Sequence, residues 1–199
     1  MSVANNNEVM SKLRIEAFSD NVFSIVLTLL VFSFKLPKLE EQNFNQELYE
    51  KLWSMRNHFL AYVISFILIN MFWIAHHKLF HSLKHSNTTL LWLNNLFLLF
   101  LVLLPFPTEV LNIESAAVFF GIVMILVSLS FSLLRYYCYF RSGLVDDSVT
   151  TEYRHGSLIK GLVGVTLYII AIAAAVYSPD ITLTMYALIP FLYFVNPYY

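Results

Sequence analysis

The chain has 199 residues, of which 58% are hydrophobic and only 13% charged, and its mean hydropathy is +0.66. Soluble domains carry about 25% charged residues, so this composition excludes an ordinary soluble domain and indicates an integral membrane protein. The formal net charge of −1 argues against a nucleic-acid partner, which would require a basic face. A single cysteine, Cys138, excludes an internal disulfide framework.

Six apolar stretches approach the length needed to cross a bilayer, which is about 20 mostly apolar residues. Their apolar runs are continuous rather than alternating, which favours helices over a barrel. The predicted spans are 18–36, 58–77, 90–106, 116–139, 158–177 and 181–195. We therefore expect an all-α membrane protein with six transmembrane helices per chain, forming a single domain over residues 1–199.

Prolines and polar segments separate these stretches. Pro37 is predicted to close the first span, Pro179 separates the last two, and Pro190 predicts a kink or tilt in the sixth. Residues 38–51 are predicted to form a connector outside the membrane, and residues 141–157 a polar loop.

The distribution of basic residues predicts the orientation. If the N-terminus is cytoplasmic, the inside segments hold Lys12, Arg14, Lys78, Lys84, Arg135, Arg141, Arg154 and Lys160. The outside segments then hold Lys35, Lys38, Lys51 and Arg56. Because cytoplasmic loops carry an excess of Lys and Arg, we expect both termini in the cytoplasm.

The first span has a polar front edge. Residues 14–37 read RIEAFSDNVFSIVLTLLVFSFKLP, with Arg14, Ser19 and Asp20 ahead of the apolar run. These residues either cap the helix in the headgroup region or bind other helices, because polar groups buried in a bundle need partners.

One stripe of the same helix mixes apolar and weakly polar side chains. At about 100° per residue, Ile25, Thr28, Leu29 and Phe32 share this stripe, and Asn21 extends it. Several copies around an axis would form apolar rings, which can gate a conduit by dewetting. The alternative is that Thr28 merely bonds back to its own helix.

Four segments carry a family resemblance. RIEAFSD at the head of the first span resembles the signature of the transmembrane protein 175 family of potassium channels, and the following NVFSIVLTLLVFSFKLP resembles its pore helix. FWIAHHKLF (72–80) and LLWLNNLFLLFLVLLPFPT (90–108) are also similar to that family. The likeness covers the first three helices, and the last three only in hydropathy.

The resemblance implies a potassium-preferring cation channel rather than an enzyme, with no cofactor and no TVGYG filter. It implies a homotetramer in the bilayer, with the first helix of each chain lining a central pore. Ile25 matches the family's constriction and Thr28 a residue proposed to contribute to ion selection, so potassium would pass near both. Leu29 and Phe32 match further lining positions, although Phe32 is bulkier than the aliphatic residue expected there. A single six-helix unit without a targeting segment suggests a bacterial cytoplasmic membrane.

The resemblance also implies a structural role for the signature residues. A hydrogen-bonded knot would join the first helix to the second and third and fix its rotation. The signature residues are Arg14, Phe18, Ser19 and Asp20, and the candidate partners are His77, Trp92, Asn94 and Asn95.

Two other classes of function remain as alternatives. In HHKLFHSLKH, His77, His81 and His85 are spaced four apart, as in helical metal sites, but the chain lacks the second histidine cluster of a membrane di-iron enzyme, so we expect no metal site. A proton-coupled secondary transporter would show broken helices or inverted repeats. Pro190 predicts a break in the sixth span without a matched break elsewhere, and Asp20 is the one acid near a span interior.

Overall fold

The chain folds mainly into long α-helices. The computed structural model describes residues 11–33, 48–50, 52–53, 55–109, 114–175 and 177–194. The helices are α1 (Lys12–Leu29), α2 (Arg56–His81), α3 (Thr88–Leu101), the short α4 (Pro105–Glu109), α5 (Glu114–Tyr136), α6 (Thr151–Ala175) and α7 (Pro179–Phe194). α1 continues as a 3-10 turn over Leu30–Ser33, and α5 as a π-helical turn over Tyr137–Arg141.

Five helical segments are long and apolar enough to cross a membrane, by length and composition. They are Lys12–Phe32, His58–His81, Thr88–Thr108, Ala117–Arg141 and Thr151–Ala175. The sixth predicted span falls on α7, which has 16 residues and contains Pro190. At about 1.5 Å per residue, α7 is shorter than the roughly 30 Å hydrocarbon core. The all-helical architecture is therefore established, and the sixth crossing stays a prediction.

The largest differences from the predicted spans are at the starts of two helices. α1 begins at Lys12, before the predicted start at residue 18, and α6 begins at Thr151, inside the predicted loop 141–157. The Thr150 hydroxyl accepts a hydrogen bond from the Tyr153 amide at 3.3 Å, which caps the first turn of α6. Both helices thus extend past their apolar stretches, because helix formation does not require apolar residues.

Some predictions fall outside the described residues. The predicted closure of the first span at Pro37 and most of the 38–51 connector lie there, as do residues 1–10 and 195–199. The orientation of the two termini consequently stays a prediction.

Two of the prolines begin helices. α3 ends at Leu101, and Pro105 and Pro179 are the first residues of α4 and α7. The first turn of a helix leaves its amides without partners inside the helix, so a residue that lacks an N–H is well placed there.

α5 is the central helix and α1 a peripheral one. Of the most apolar stretch of α5, 61% is buried, against 28% for α1 and also for α6. α5 packs against α3 and α6, and α7 packs mainly on α6, whereas α1 contacts α2 and α3. Most of the surface of α1 is therefore left uncovered by its own chain.

The loop after α5 is tied to the end of α2. The Lys84 amide donates to the Leu144 carbonyl at 2.8 Å, and the Asp146 amide donates to the Ser82 carbonyl at 2.9 Å. An ion pair between Lys84 and Asp147 at 2.6 Å raises the pKa of Lys84. These contacts hold the ends of α2, α5 and α6 together on one side of the bundle.

Candidate functional site

α1 has one buried face and one exposed face. Its buried residues recur at helical spacing: Ile15, Ser19, Phe23, Val26 and Leu30. On the other side, Ile25 is 57% exposed, Leu29 42% and Phe32 75%, and Thr28 is also exposed. The four residues predicted to line a pore thus lie together on the face that points away from the rest of the chain.

Thr28 bonds back to its own helix and still presents an oxygen. Its hydroxyl donates to the Ile25 carbonyl at 2.8 Å, which is the back-bond left open as an alternative from the sequence. A hydroxyl has one proton and two acceptor lone pairs. Because the hydroxyl proton is donated to a carbonyl of the same helix, the lone pairs of the Thr28 oxygen remain available to bind a cation.

A chain of three side chains connects the buried face of α1 to α2 and α3. The ring Nε2 of His76 lies 2.8 Å from Asn94 Oδ1, and Asn94 Nδ2 donates to Ser19 Oγ at 2.9 Å. Ser19 Oγ in turn donates to the Ile15 carbonyl at 2.8 Å. Since Asn94 Oδ1 can only accept, His76 donates through Nε2 in this arrangement. All three side chains are buried, so each bond replaces one that water would otherwise supply.

Aromatic rings surround His76. Its ring stacks on Phe80 with centroids 4.3 Å apart, and Phe23, Phe97 and Phe131 lie within 6.5 Å. This packing limits the orientations open to the ring and keeps Nε2 directed at Asn94.

A second hydrogen bond between α1 and α2 involves Asp20, the residue that follows Ser19. The indole Nε1 of Trp73 donates to Asp20 Oδ1 at 2.9 Å. Behind it, Trp73 stacks on His77, and His77 stacks on His81, with centroids 6.2 and 6.4 Å apart. Asp20 therefore takes part in holding α1, as an acceptor for an indole.

In the structure, two of the contacts expected in the knot are made by other residues. Ser19 and Asn94 do meet, but His76 rather than His77 completes the chain, because adjacent residues on a helix point about 100° apart and His77 is exposed. Trp73 rather than Trp92 contacts Asp20, since Trp92 is 70% exposed.

The remaining residues expected in the knot lie outside the hydrogen-bonded chain. Arg14 and Phe18 are exposed, and Asn95 is half-buried beside Asn94. A residue that the sequence prediction missed is Lys12, whose ammonium donates to the Phe80 and Leu83 carbonyls at 2.9 Å each and so caps the end of α2.

The sequence did contain a signal for His76. The buried residues Leu68, Ile69, Phe72, Leu79 and Phe80 follow helical spacing along α2, and His76 falls on the same face. The histidines at four-residue spacing, by contrast, are exposed, and His85 lies beyond the end of α2 at His81. Among the residues that the structure describes, no three His, Cys, Asp or Glu side chains are grouped to hold a metal ion.

Known proteins are similar to this chain over the region of the site. The family model described as endosomal/lysosomal potassium channel TMEM175 matches residues 14–105, which contain α1, α2 and α3. A potassium channel of Chryseobacterium sp. (strain P1-3) is 29% identical over 190 residues, covering 94% of each chain. The endosomal/lysosomal proton channel TMEM175 of Bos taurus is 38% identical over 104 residues, which are 50% of this chain and 22% of that protein.

A solved structure shares the fold. The crystal structure of a lysosomal potassium-selective channel TMEM175 homolog from Chamaesiphon minutus superposes with a TM-score of 0.81 at 24% identity, covering 92% of this chain and 96% of that one. The fold has five helical segments long and apolar enough to cross a membrane, and the proteins that the chain resembles are named as channels. The TMEM175 family model matches the first three helices, which confirms the resemblance that they carry.

Proposed function

We propose that this chain is a subunit of a cation channel that prefers potassium and conducts passively across the membrane. The observation that carries the proposal is the exposed stripe of Ile25, Thr28, Leu29 and Phe32 on a helix whose opposite face is bonded to its own chain. The relatives are named as a potassium channel in Chryseobacterium sp. and as a proton channel in Bos taurus. Both names support a small cation as the permeant species. The permeant ion is the substrate, and conduction requires no cofactor.

The stripe fits a central axis better than a purely lipid-facing surface. Asn21, Ser24 and Thr28 are exposed on α1 among the apolar residues, and polar groups facing acyl chains are unfavourable. Four copies of the chain, with α1 innermost, would place these groups on a water-accessible path. The homotetramer is part of the proposal, as is a bacterial cytoplasmic membrane with both termini inside.

Ile25 would form the constriction. A ring of isoleucine side chains offers no oxygen to replace the water around an ion, so a narrow ring excludes ions by dewetting. A somewhat wider ring passes an ion that has shed part of its water. Potassium sheds water more readily than sodium, which gives a preference without a rigid oxygen cage.

Thr28 would assist the ion one turn further along. Its hydroxyl proton is held by the Ile25 carbonyl, so the oxygen lone pairs face outward in a fixed geometry. Four such oxygens would replace part of the water lost at the neighbouring ring.

The bonds on the other side of α1 would set which residues reach the axis. Rotating α1 about its own axis by one residue would turn every side chain by about 100°. That rotation would separate Ser19 from Asn94 and Asp20 from Trp73. The two links therefore favour one rotation, with Ile25 on the exposed side.

The test is electrical. Purified protein in planar bilayers is recorded under opposed potassium and sodium gradients, comparing the wild type with Ile25→Asn. We expect unitary current steps, larger and less selective in Ile25→Asn because an amide wets the ring. Ile169→Asn is the matched control, since Ile169 on α6 is 53% exposed, close to the value for Ile25.

Two results would contradict the proposal. One is a current in Ile25→Asn that is indistinguishable from those of the wild type and Ile169→Asn. The other is saturable flux coupled to a proton gradient without unitary steps, which would indicate a secondary transporter.

A further inference from the structure

A small cavity lies between α2, α5 and α6. Its volume is about 20 Å³, and most of its wall is formed by apolar side chains of α2 and α5. The polar residues of its lining are Ser128 and Arg135 on α5, and Gly161 lines it from α6. A water molecule needs a cavity of about 10–15 Å³, so the space accommodates a single water.

The Ser132 hydroxyl lies beside this cavity. A Cβ on Gly161, which lines the cavity, would stand 2.5 Å from Ser132 Oγ and 3.6 Å from Arg135 Nη1. Arg135 is held there by donating through Nη1 to the Ser157 carbonyl at 3.0 Å. Two polar groups of α5 therefore approach each other at the point where α6 carries no side chain.

Ser132 differs from other hydroxyls of the spans, which bond back to their own helix. Ser130 donates to the Val127 carbonyl at 3.0 Å, and Thr166 donates to the Leu162 carbonyl at 3.1 Å. Ser132 Oγ is buried and makes no hydrogen bond within the part of the chain that the structure describes. An unsatisfied buried hydroxyl is costly, and more so in a membrane span, where bulk water cannot reach it. We therefore expect a further partner at this hydroxyl.

Ser128 and Ser132 are spaced to share one water. Residues four apart on a helix lie on the same face, with Cβ atoms about 5–6 Å apart. Two hydrogen bonds that meet at one water span roughly 4.5–5.5 Å, depending on the angle between them. Both serines are 5% exposed, so a water that reached them would be buried with them. Hydroxyls both donate and accept, so the pair can bind a water in either sense.

We propose that this cavity is a binding site for one structural water, which bridges the Ser128 and Ser132 hydroxyls beside the Arg135 guanidinium. The water satisfies the Ser132 hydroxyl and fills the space left by the missing side chain of Gly161. The site is separate from the exposed stripe of α1, and its occupancy does not depend on ion conduction.

The direction of a stability change tests this proposal. Thermal unfolding of the full chain in mild detergent is compared for the wild type, Ser132→Ala and Ser130→Ala. Ser130 is the matched control, because it is also 5% exposed and is bonded to its own helix. If the water is bound, Ser132→Ala loses its hydrogen bond and should lower the unfolding temperature more than Ser130→Ala does. If the hydroxyl is unsatisfied, its removal should raise the unfolding temperature or leave it unchanged. That result would overturn the proposal, as would a decrease no larger than that of Ser130→Ala.

Coupling between the two serines tests whether they share one water. Ser132→Ala would already release that water, so Ser128→Ala should lower the unfolding temperature in the wild type and hardly at all in the Ser132→Ala background. Additive decreases would contradict a shared water.

Radiolytic footprinting detects the water directly, because hydroxyl radicals formed from a bound water label the side chains beside it. Phe131 lines the cavity and is 2% exposed, whereas Phe120 on the same helix is 0% exposed and packs against Tyr186. We expect Phe131 to be labelled in the wild type, and its labelling to fall to that of Phe120 in the variant that carries both Ser128→Ala and Ser132→Ala. Equal labelling of the two rings in the wild type would overturn the proposal.

Discussion

The Trp73 indole on α2 donates a hydrogen bond to the Asp20 carboxylate on α1, with 2.9 Å between Nε1 and Oδ1. Asp20 precedes Ile25 by five residues, so this bond lies more than one turn from the proposed constriction. It joins the helix that would line the pore to the body of its own chain. Together with Ser19 and Asn94, it provides the means by which a peripheral helix keeps one face outward.

Trp73→Phe removes the indole donor and keeps an aromatic ring over His77. We expect the helix link to weaken by about 1 kcal/mol, in the range measured for bonds between membrane helices. Assembly should fall more than ion preference, because the bond positions α1 rather than touching the ion. Size-exclusion chromatography in mild detergent measures the oligomer yield. Asp20→Ala should behave in the same way, and a normal yield with altered permeability ratios in both variants would count against the positioning role.

Asn94→Ala removes the central member of the buried chain. Ser19 and His76 then each lose a partner, and an unsatisfied buried polar group costs about 1–3 kcal/mol. We expect a clearly lowered unfolding temperature in detergent. Asn95→Ala is the control, since Asn95 is half-buried beside it and outside the chain. If the two variants unfold at the same temperature, the chain contributes nothing particular to stability.

Thr28→Val removes one oxygen and keeps the shape of the side chain. If that oxygen replaces water around the ion, losing it should reduce the potassium preference roughly two- to five-fold, as for a loss of about 0.5–1 kcal/mol. Thr28→Ser retains the oxygen and should keep most of the preference. Reversal potentials under opposed potassium and sodium gradients give the ratio. Equal ratios in the wild type and Thr28→Val would remove Thr28 from the account of selectivity.

Two glycines of α6 should respond in opposite ways to alanine. At Gly161 the new methyl group would meet the Ser132 hydroxyl on α5, so Gly161→Ala should destabilise the protein by about 1–3 kcal/mol through overpacking. At Gly156 nothing lies within 4 Å of the new methyl. Gly156→Ala should therefore stabilise α6 by about 0.5–1 kcal/mol. Thermal unfolding of the two variants in parallel compares them, and equal shifts would mean that α5 and α6 pack less closely than described.

The sequence predicted the helical architecture from hydropathy and the shared stripe of α1 from helical spacing, whereas the placement of that stripe on a pore came from the resemblance alone. The architecture and the stripe depend on local pattern, and Ile25, Thr28, Leu29 and Phe32 lie together as expected. Ser19 and Asn94 also meet as the resemblance implied. The sequence failed where two similar residues competed for one place. His76 and His77 are neighbours, and Trp73 and Trp92 both flank the polar edge, so only the packing of α2 against α1 decides which side chain faces inward.

The most direct test of the central claim is aqueous access to position 25 during conduction. Ile25→Cys is recorded in planar bilayers while a charged methanethiosulfonate reagent is added, with Ile169→Cys as control; Cys138 is buried and so shielded from the reagent. If Ile25 lies on the ion path, the reagent should block the current of Ile25→Cys and leave that of Ile169→Cys unchanged. A current through Ile25→Cys that persists while the labelling of its thiol is complete would contradict the placement of Ile25 at the constriction.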